Sequence, residues 1–164
     1  MTAIPNGITI QKMRSDWANA ATKLEVNAWN FTVRATQAAQ EVFDKSFELG
    51  GFNTTPFVPW APHSPRRRNP VMFETGLLRK SIKRNVEQRG FSFTGIVFSD
   101  PSDFASAKRH PGFYYAKVHN APDGTYTYGN SGIPSIQRKF IGSSTVLDKK
   151  LHQLAQTTFF EGLP

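Results

Sequence analysis

The chain has 164 residues, the length of one domain, and it contains no cysteine. The absence of cysteine excludes disulfides, thiolate zinc sites and cysteine nucleophiles. The formal net charge is +8, from 20 Lys and Arg residues against 12 Asp and Glu residues. That charge predicts an anionic partner or neighbour but carries no information about the fold. No segment approaches the roughly 18 apolar residues of a membrane-spanning helix, and the first residues lack the apolar core of a signal peptide. We therefore expect a protein of the cytosol at synthesis, with no membrane partner.

Residues 1–14 show little periodicity and are expected to form an N-terminal arm. A long helix is predicted for residues 15–49, with Ser15 or Asp16 as its N-cap and the glycine pair at 50–51 as its end. Its apolar residues alternate spacings of four and three, as one face of a helix requires. They are Trp17, Ala21, Leu24, Ala28, Phe31, Ala35, Ala38 and Val42, and the face is widened by Trp29, Val33, Phe43 and Phe47.

The predicted helix is unusually long for a chain of this size. The 34 residues from 16 to 49, after the cap at its start, correspond to roughly 50 Å at 1.5 Å per residue. A helix that extends beyond its own core is usually covered by another subunit, and this is what we expect here. The alternative is a pair of helices broken near Asn27 or Asn30.

Residues 52–70 are rich in proline, which excludes helix and argues against strand pairing. The sequence predicts an extended, mobile loop or arm, with Trp60 as its anchor. Three consecutive cations, Arg66, Arg67 and Arg68, lie near the end of this segment.

An antiparallel sheet is predicted for residues 74–142. After a short helix at Glu74–Lys80, the segments Ser81–Glu87 and Phe91–Ser99 form a hairpin. One face of the hairpin is expected to be well buried. Phe91, Phe93, Gly95 and Val97 lie on one face of the second strand, and Ile96 and Phe98 lie on the other. Further strands are predicted at Phe113–Asn120 and Ile136–Ile141.

A C-terminal helix is predicted for residues 143–161, with Ser143 or Ser144 as its N-cap. The expected fold is therefore α+β, in a single domain covering 1–164. Its long N-terminal helix and its C-terminal helix would pack on a small antiparallel sheet of three to four strands.

The residues of known catalytic and metal sites do not occur in recognisable patterns. The four histidines lack metal-ligand spacing, and no serine lies in a nucleophile elbow. His119 is expected to be a satisfied residue at the end of a strand, and Asp100 and Asp103 to cap a turn at the proline between them. We therefore expect a protein that is not an enzyme and has no catalytic residues, metal or cofactor.

Basic residues concentrate between positions 66 and 89. This stretch holds eight basic and two acidic residues, a net charge of +6. One interpretation is a salt-dependent, sequence-independent nucleic-acid surface. The other is a face that meets solvent or an acidic protein, because no nucleic-acid-binding motif accompanies the charge.

Four motifs occur in order along most of the chain, at Trp60–Pro62, Phe73–Ile82, Tyr114–His119 and Ile133–Gly142. They resemble the W-x-P, T-G-x-L-x-x-S-I, Y-A-x-x-H and P-x-R-x-F-[LI]-G patterns of the tail-completion and head–tail connector proteins of tailed bacteriophages. That group includes the virion-morphogenesis family of Mu-type phages. Each motif alone is weak, and it is their order over roughly residues 50–160 that makes the resemblance specific.

The resemblance implies a structural protein that works in a ring at the neck or tail end of a virion, after assembly in the host cytoplasm. Its expected partners are further copies of itself, with six- or twelvefold symmetry, and neck, tail-terminator or tail-tube proteins, with packaged DNA nearby. A basic nucleic-acid-binding module is the alternative function. The resemblance does not separate tail completion from head completion.

Two sets of residues follow as candidates. Those expected to shape the fold are Thr75, Gly76, Leu77, Ser81, Pro134, Arg138, Phe140 and Gly142. Among them, Thr75 would cap a short helix, Gly76 would permit a tight turn, and Pro134 would begin the last strand. Those expected at a subunit or partner interface are Trp60, Arg66, Arg67, Arg68, Arg79, Lys80, Lys83 and Arg84.

Overall fold

The computed structural model describes residues 9–62, 71–72, 76–105, 107, 111–128 and 132–162. These residues form an α+β fold with a long N-terminal helix, three small antiparallel ladders and a C-terminal helix. The helices are α1 (Ile10–Leu49), α2 (Leu77–Lys80), α3 (Tyr115–Asn120) and α4 (Thr145–Thr158), with a 3-10 helix at Pro101–Phe104. The strands are β1 (Gly51–Phe52), β2 (Val58–Pro59), β3 (Ile82–Arg89), β4 (Ser92–Ser99), β5 (Thr127–Tyr128) and β6 (Ile133–Pro134).

The first helix, α1, begins earlier than the sequence predicts. Thr9 is its N-cap, in an extended conformation, and its hydroxyl accepts a hydrogen bond from the Lys12 backbone N–H at 3.2 Å. The predictions of a cap at Ser15 or Asp16 and of an arm reaching residue 14 were therefore wrong. The Thr9 cap satisfies one of the free N–H groups of the first turn, so the helix continues back through a stretch of weak periodicity.

The end and the continuity of α1 agree with the prediction. The helix is unbroken over 40 residues, and Gly50 follows it with φ 69°, donating its N–H to the Ser46 carbonyl. A left-handed residue after the last turn is the position that glycine fills best. The alternative of a break near Asn27 or Asn30 does not occur, and α1 is about 60 Å long.

The C-terminal helix α4 runs antiparallel to the second half of α1. Its N-cap is Ser144, one of the two predicted residues, whose hydroxyl accepts from the Leu147 N–H and donates to the Asn53 carbonyl. The other end of α4 reaches the middle of α1, where the Asn27 amide donates to the Phe159 carbonyl at 3.1 Å. The face of α1 that bears Phe31 and Val42 is thus covered by α4.

The β3–β4 hairpin confirms the central prediction of strand pairing and lies against α1. Gly95 faces Thr36 of α1, whose hydroxyl would clash with any Cβ at that position. Trp29 of α1 packs edge-on against Phe93 at 6.0 Å between ring centroids. The face towards α1 is only half-buried, and the prediction that Phe91 begins the second strand was wrong, because β4 begins at Ser92. Phe91 occupies the turn and is 88% exposed.

The segment Phe113–Asn120 was predicted as a strand, which is wrong. It contains the helix α3, whose last turn closes with the Ala121 N–H bonded to the Lys117 carbonyl. Six residues are too few for periodicity to separate a helix from a strand. Ala121 is extended, as the residue before Pro122 prefers, and the helix stops there.

A single sheet of three to four strands was also predicted, and this too was wrong. The three ladders are separate, each with two strands. The predicted strand at residues 136–141 is irregular backbone, and the actual strand is β6, where Ile133 pairs with Tyr128 of β5. The sequence predicted that the proline-rich segment would not pair as a strand, yet Pro59 pairs with Gly51. This ladder is two residues long, so a missing proline N–H is tolerated.

The core lies beneath the second half of α1. Every buried residue of α1 is at or after position 27, and the core also draws on the proline-rich segment, α2, α3 and the stretch before α4. Its most buried large apolar side chains are Val42, Phe104 and Phe140. The first 17 residues of α1, 10–26, contribute nothing to the core.

Candidate assembly surfaces

Three of the four sequence motifs meet at one place, which we call the motif junction (Trp60, Asn120, Arg138 and Phe140). The Trp60 indole Nε1–H donates to the Lys139 carbonyl at 2.8 Å. Arg138, which is buried, donates from Nε to the Ala61 carbonyl at 3.1 Å and from Nη2 to the Pro62 carbonyl. The tryptophan motif and the arginine motif are therefore bonded to each other, and these bonds fix the position of residues 60–62 on the core.

Asn120, which directly follows the Tyr114–His119 motif, joins that motif to the same junction. Its side-chain Oδ1 accepts from the backbone N–H groups of Phe140 and Ile141, at 3.1 and 3.3 Å. The Phe140 ring packs edge-on against Phe47 at 5.6 Å, and Phe47 packs on Trp60 at 5.3 Å. The junction is thus satisfied in both its hydrogen bonds and its packing. Asn120 was not among the residues predicted from the sequence, because no local pattern marks it.

The remaining motif is Phe73–Ile82, and its described residues, 76–82, form the turn into the hairpin. Gly76 has φ 69°, which a residue with a side chain rarely adopts, and it precedes the single turn of α2. Leu78 is buried, and Leu77 packs against the core. The buried Ser81 hydroxyl lies 2.8 Å from the Leu78 carbonyl and 2.6 Å from the Ser99 hydroxyl. The predicted cap residue Thr75 lies outside the described residues.

The remaining fold-shaping candidates lie before α4. Gly142 has φ 144°, and a Cβ there would clash with the Lys139 side chain. Pro134 is exposed in β6, opposite Thr127, so it pairs within a ladder of two residues instead of beginning a longer strand.

Of the candidate interface residues, Trp60 has only 6% of its surface exposed. Its contribution to a partner surface would be to position the segment that follows it. Arg66, Arg67 and Arg68 lie outside the described residues.

Arg79 is engaged within the chain. Its Nε lies 2.5 Å from Asp44 Oδ1, its Nη2 bonds the second oxygen of the same carboxylate, and Nη2 also contacts Glu48 at 3.0 Å. The hydrogen bonds that Arg79 donates to Asp44 raise the pKa of Arg79 above its ordinary value. This bidentate pair ties α2 to the end of α1.

Other charges of the basic stretch are also balanced locally. Lys83 pairs with Asp103 at 3.1 Å, and Arg89 pairs with Glu87 at 3.3 Å. Within the described part of the chain, the basic residues of this stretch that form no ion pair are Lys80 and Arg84, both exposed. The local positive surface is therefore smaller than the residue count indicates.

The most prominent exposed feature is the N-terminal half of α1. Residues 10–26 extend for about 25 Å beyond the core. Four large apolar side chains lie along one side of this stretch, and between 44% and 72% of the surface of each is exposed. We call them the α1 seam: Ile10, Met13, Trp17 and Leu24.

A second exposed apolar group lies further along the same helix. Val26, Trp29 and Val33, spaced by three and four residues, are each more than a third exposed, and we call them the α1 outer patch. The sequence analysis placed Trp29 and Val33 on the widened apolar face of the helix. Phe93 covers part of the Trp29 ring, and between 36% and 52% of the surface of each residue in the patch is exposed.

The described residues contain no group of three or more His, Asp or Glu side chains able to hold a metal ion. No helix among them is both long and apolar enough to cross a bilayer. A groove of about 430 Å³ between α1 and α4 is lined mainly by long polar side chains, including Arg34, Glu41 and Lys150.

Asp100 and His119 make hydrogen-bonding and packing contacts within the fold. Asp100 Oδ1 accepts from both the side chain and the backbone N–H of Ser102, so the predicted turn cap is confirmed there. Those hydrogen bonds lower the pKa of Asp100. His119 belongs to α3 and not to a strand, and its ring packs edge-on against Tyr115 at 6.2 Å.

Comparison of the chain with protein-family models, with curated proteins and with solved structures finds no match in any of the three.

Proposed function

We propose that this chain is a structural virion protein of a tailed bacteriophage. It would form part of an oligomeric ring at the head–tail connector, the neck or the tail end. The observation that carries this proposal is the α1 seam, an apolar helix face that continues for about 25 Å beyond the chain's own core. Exposed apolar surfaces of this extent are typical of sites of protein association.

The energetics of the seam favour assembly over an isolated chain. Complete burial of a large apolar side chain contributes about 1.5–3 kcal/mol, so the exposed fractions of the four seam residues correspond to roughly 4–7 kcal/mol per copy. Association of two proteins costs about 4–15 kcal/mol in lost freedom. One such contact is therefore marginal, whereas a closed ring gives every subunit two neighbours.

The order of the four motifs supports the particular kind of assembly. Three of them form the motif junction, where Trp60 and Arg138 set the direction of the proline-rich segment. In a ring this segment can lie on an adjacent subunit or on the next ring. Partners would be further copies of the chain and neighbouring neck, tail-terminator or tail-tube proteins. The exposed cations Lys80 and Arg84, with Arg66, Arg67 and Arg68, would face acidic partner surfaces.

No residue is assigned a catalytic, cofactor-binding or metal-binding role in this proposal. The described side chains that the sequence motifs bring together serve packing and backbone hydrogen bonds. The protein would act by its shape and its contacts, first in the host cytoplasm and then in the virion.

Native mass spectrometry of the purified chain, together with negative-stain electron microscopy, tests the proposal. We expect closed rings, with six or twelve copies. Immunogold labelling of the phage particles that contain the chain should place it at the neck or the tail end. A strictly monomeric protein that is absent from the particles would refute the proposal.

A further inference from the structure

We propose that the subunits of the ring contact each other through one defined pair of surfaces. The α1 seam of one copy packs against the α1 outer patch of the next copy. This inference rests on the proposed function, since it specifies how the ring would be closed. It concerns only residues of this chain, and the partner is a second copy.

The two surfaces lie on opposite sides of the same helix. Successive residues of an α-helix are rotated by about 100°, so the mean directions of the seam and of the outer patch differ by roughly 160°. Each copy therefore presents one apolar surface to each side. Two different surfaces on one subunit are what a heterologous, ring-forming contact requires, whereas a two-fold dimer uses one surface twice.

No single stretch of α1 can contact both neighbouring subunits, because at each apolar surface the opposite side of the helix is polar or already covered. Behind the seam, the opposite side of α1 carries the polar residues Ser15 and Thr22. Behind the outer patch, α1 is covered by the chain's own C-terminal region, where Phe31 packs on Phe159 at 4.8 Å. A pairing of seam with seam would leave the outer patch of both copies exposed.

The seam is suited to receive a helix. It continues the face of α1 on which α4 packs, and that face becomes exposed where the end of α4 meets Asn27. The outer patch is part of a helix, and Asn30 and Gln37 flank it on one side. On the other side lies Glu25, whose carboxylate accepts a hydrogen bond from Gln88 of the hairpin at 3.3 Å. A second copy therefore offers a helical, apolar surface to a face that already accepts a helix within the chain.

The position of the two surfaces predicts how α1 is oriented in the ring. Their centres are about 13 residues apart, which corresponds to roughly 20 Å along the helix axis. Cyclic symmetry keeps all subunits at one height, so neighbouring helices can be displaced in this way only when α1 is oblique to the ring axis.

Cross-linking tests the contact directly, because the chain has no cysteine of its own. Ala20→Cys lies beside the seam, and Asn30→Cys lies beside the outer patch, so both substitutions keep all seven apolar side chains. With a short bis-maleimide, we expect the double variant to give a ladder of dimer, trimer and larger species. We expect neither single variant to cross-link, and an equal mixture of the two to stop at the dimer. Pairing Ala20→Cys with Lys149→Cys, on the exposed side of α4, should give no ladder.

The outcomes distinguish this inference from the proposed function. Dimers from the Ala20→Cys variant alone would indicate seam-to-seam pairing and would overturn the inference. Absence of a ladder from the double variant, when native mass spectrometry still shows rings, would overturn the inference and leave the proposed function standing. If neither the variants nor the unmodified chain forms rings, both the inference and the proposed function are refuted.

Discussion

The packing of Phe140 gives the sharpest prediction about the stability of the chain. Phe140 is 1% exposed, and its ring packs on Phe47, which in turn packs on Trp60. Substitution Phe140→Ala removes the ring from a place whose walls are fixed, because Trp60 is also held by its hydrogen bond to the Lys139 carbonyl. The neighbours can therefore do little to fill the cavity that is left.

The expected loss is about 3–5 kcal/mol, the range found when a buried aromatic residue is replaced by alanine. Since a domain is stable by about 5–15 kcal/mol in total, this is a large part of the whole. At about 2–4 °C per kcal/mol, the Tm should fall by roughly 6–20 °C. Phe140→Leu keeps most of the apolar volume and should cost about 1–2 kcal/mol.

Urea unfolding, followed by circular dichroism and by tryptophan fluorescence, measures these differences. It should be done at several protein concentrations, because association would add to the apparent stability. The matched control is Trp17→Ala at the α1 seam, which should change the free energy of unfolding of the monomer by no more than about 0.5 kcal/mol. A loss below about 1 kcal/mol for Phe140→Ala, or one equal to that of Trp17→Ala, would refute the packing argument.

Three further predictions concern the packing of the hairpin, the stability of the chain at acid pH and the basic surface. Gly95→Ala should destabilise the chain by about 1–3 kcal/mol in the same urea assay, because its Cβ must displace the hairpin from α1, and an unchanged midpoint would contradict that contact. The pKa of Glu48 is lowered, mainly by its hydrogen bond with Lys45. The ionised Glu48 side chain therefore stabilises the fold above pH 4.5, its ordinary pKa, and this stabilisation is lost as the pH falls below that value. Glu48→Gln should therefore flatten the pH dependence of Tm in that acid range, and an unaltered profile would exclude this contribution. Duplex DNA should not bind the chain at micromolar concentration and physiological salt. Binding that depends steeply on salt, and that the double substitution Lys80→Ala and Arg84→Ala weakens, would favour the nucleic-acid alternative.

The parts of the fold that the sequence predicted are those with long or strongly signalled patterns. The helix face from Trp17 to Val42 has enough repeats to define a helix, and Gly50 marks its end by a conformation that glycine adopts most readily. The hairpin was found from two apolar runs and the turn between them. Phe113–Asn120 failed because a run this short fits strand and helix alike, and the choice of α3 depends on contacts with Phe104 and other distant residues.

The charge of the basic stretch shows a second limit of sequence reasoning. Counting residues 66–89 gives a net charge of +6, but the carboxylates that neutralise Arg79 come from Asp44 and Glu48 on α1. They are more than thirty positions away, so no local window contains both members of the pair. The motif junction was likewise invisible locally, because Arg138 bonds to carbonyls of Ala61 and Pro62.

The relation between α1 and α4 explains why the seam could be suspected from the sequence but not located. The heptad-like face of α1 is continuous from Ile10 to Val42, and nothing along it marks where coverage within the chain stops. Its limit is set by α4, whose 14 residues span about 21 Å, against about 60 Å for α1. The same pattern therefore serves the core over one half of the helix and remains available for association over the other half. The difference in length between the two helices, together with the Asn27 bonds that mark the end of α4, separates these two uses.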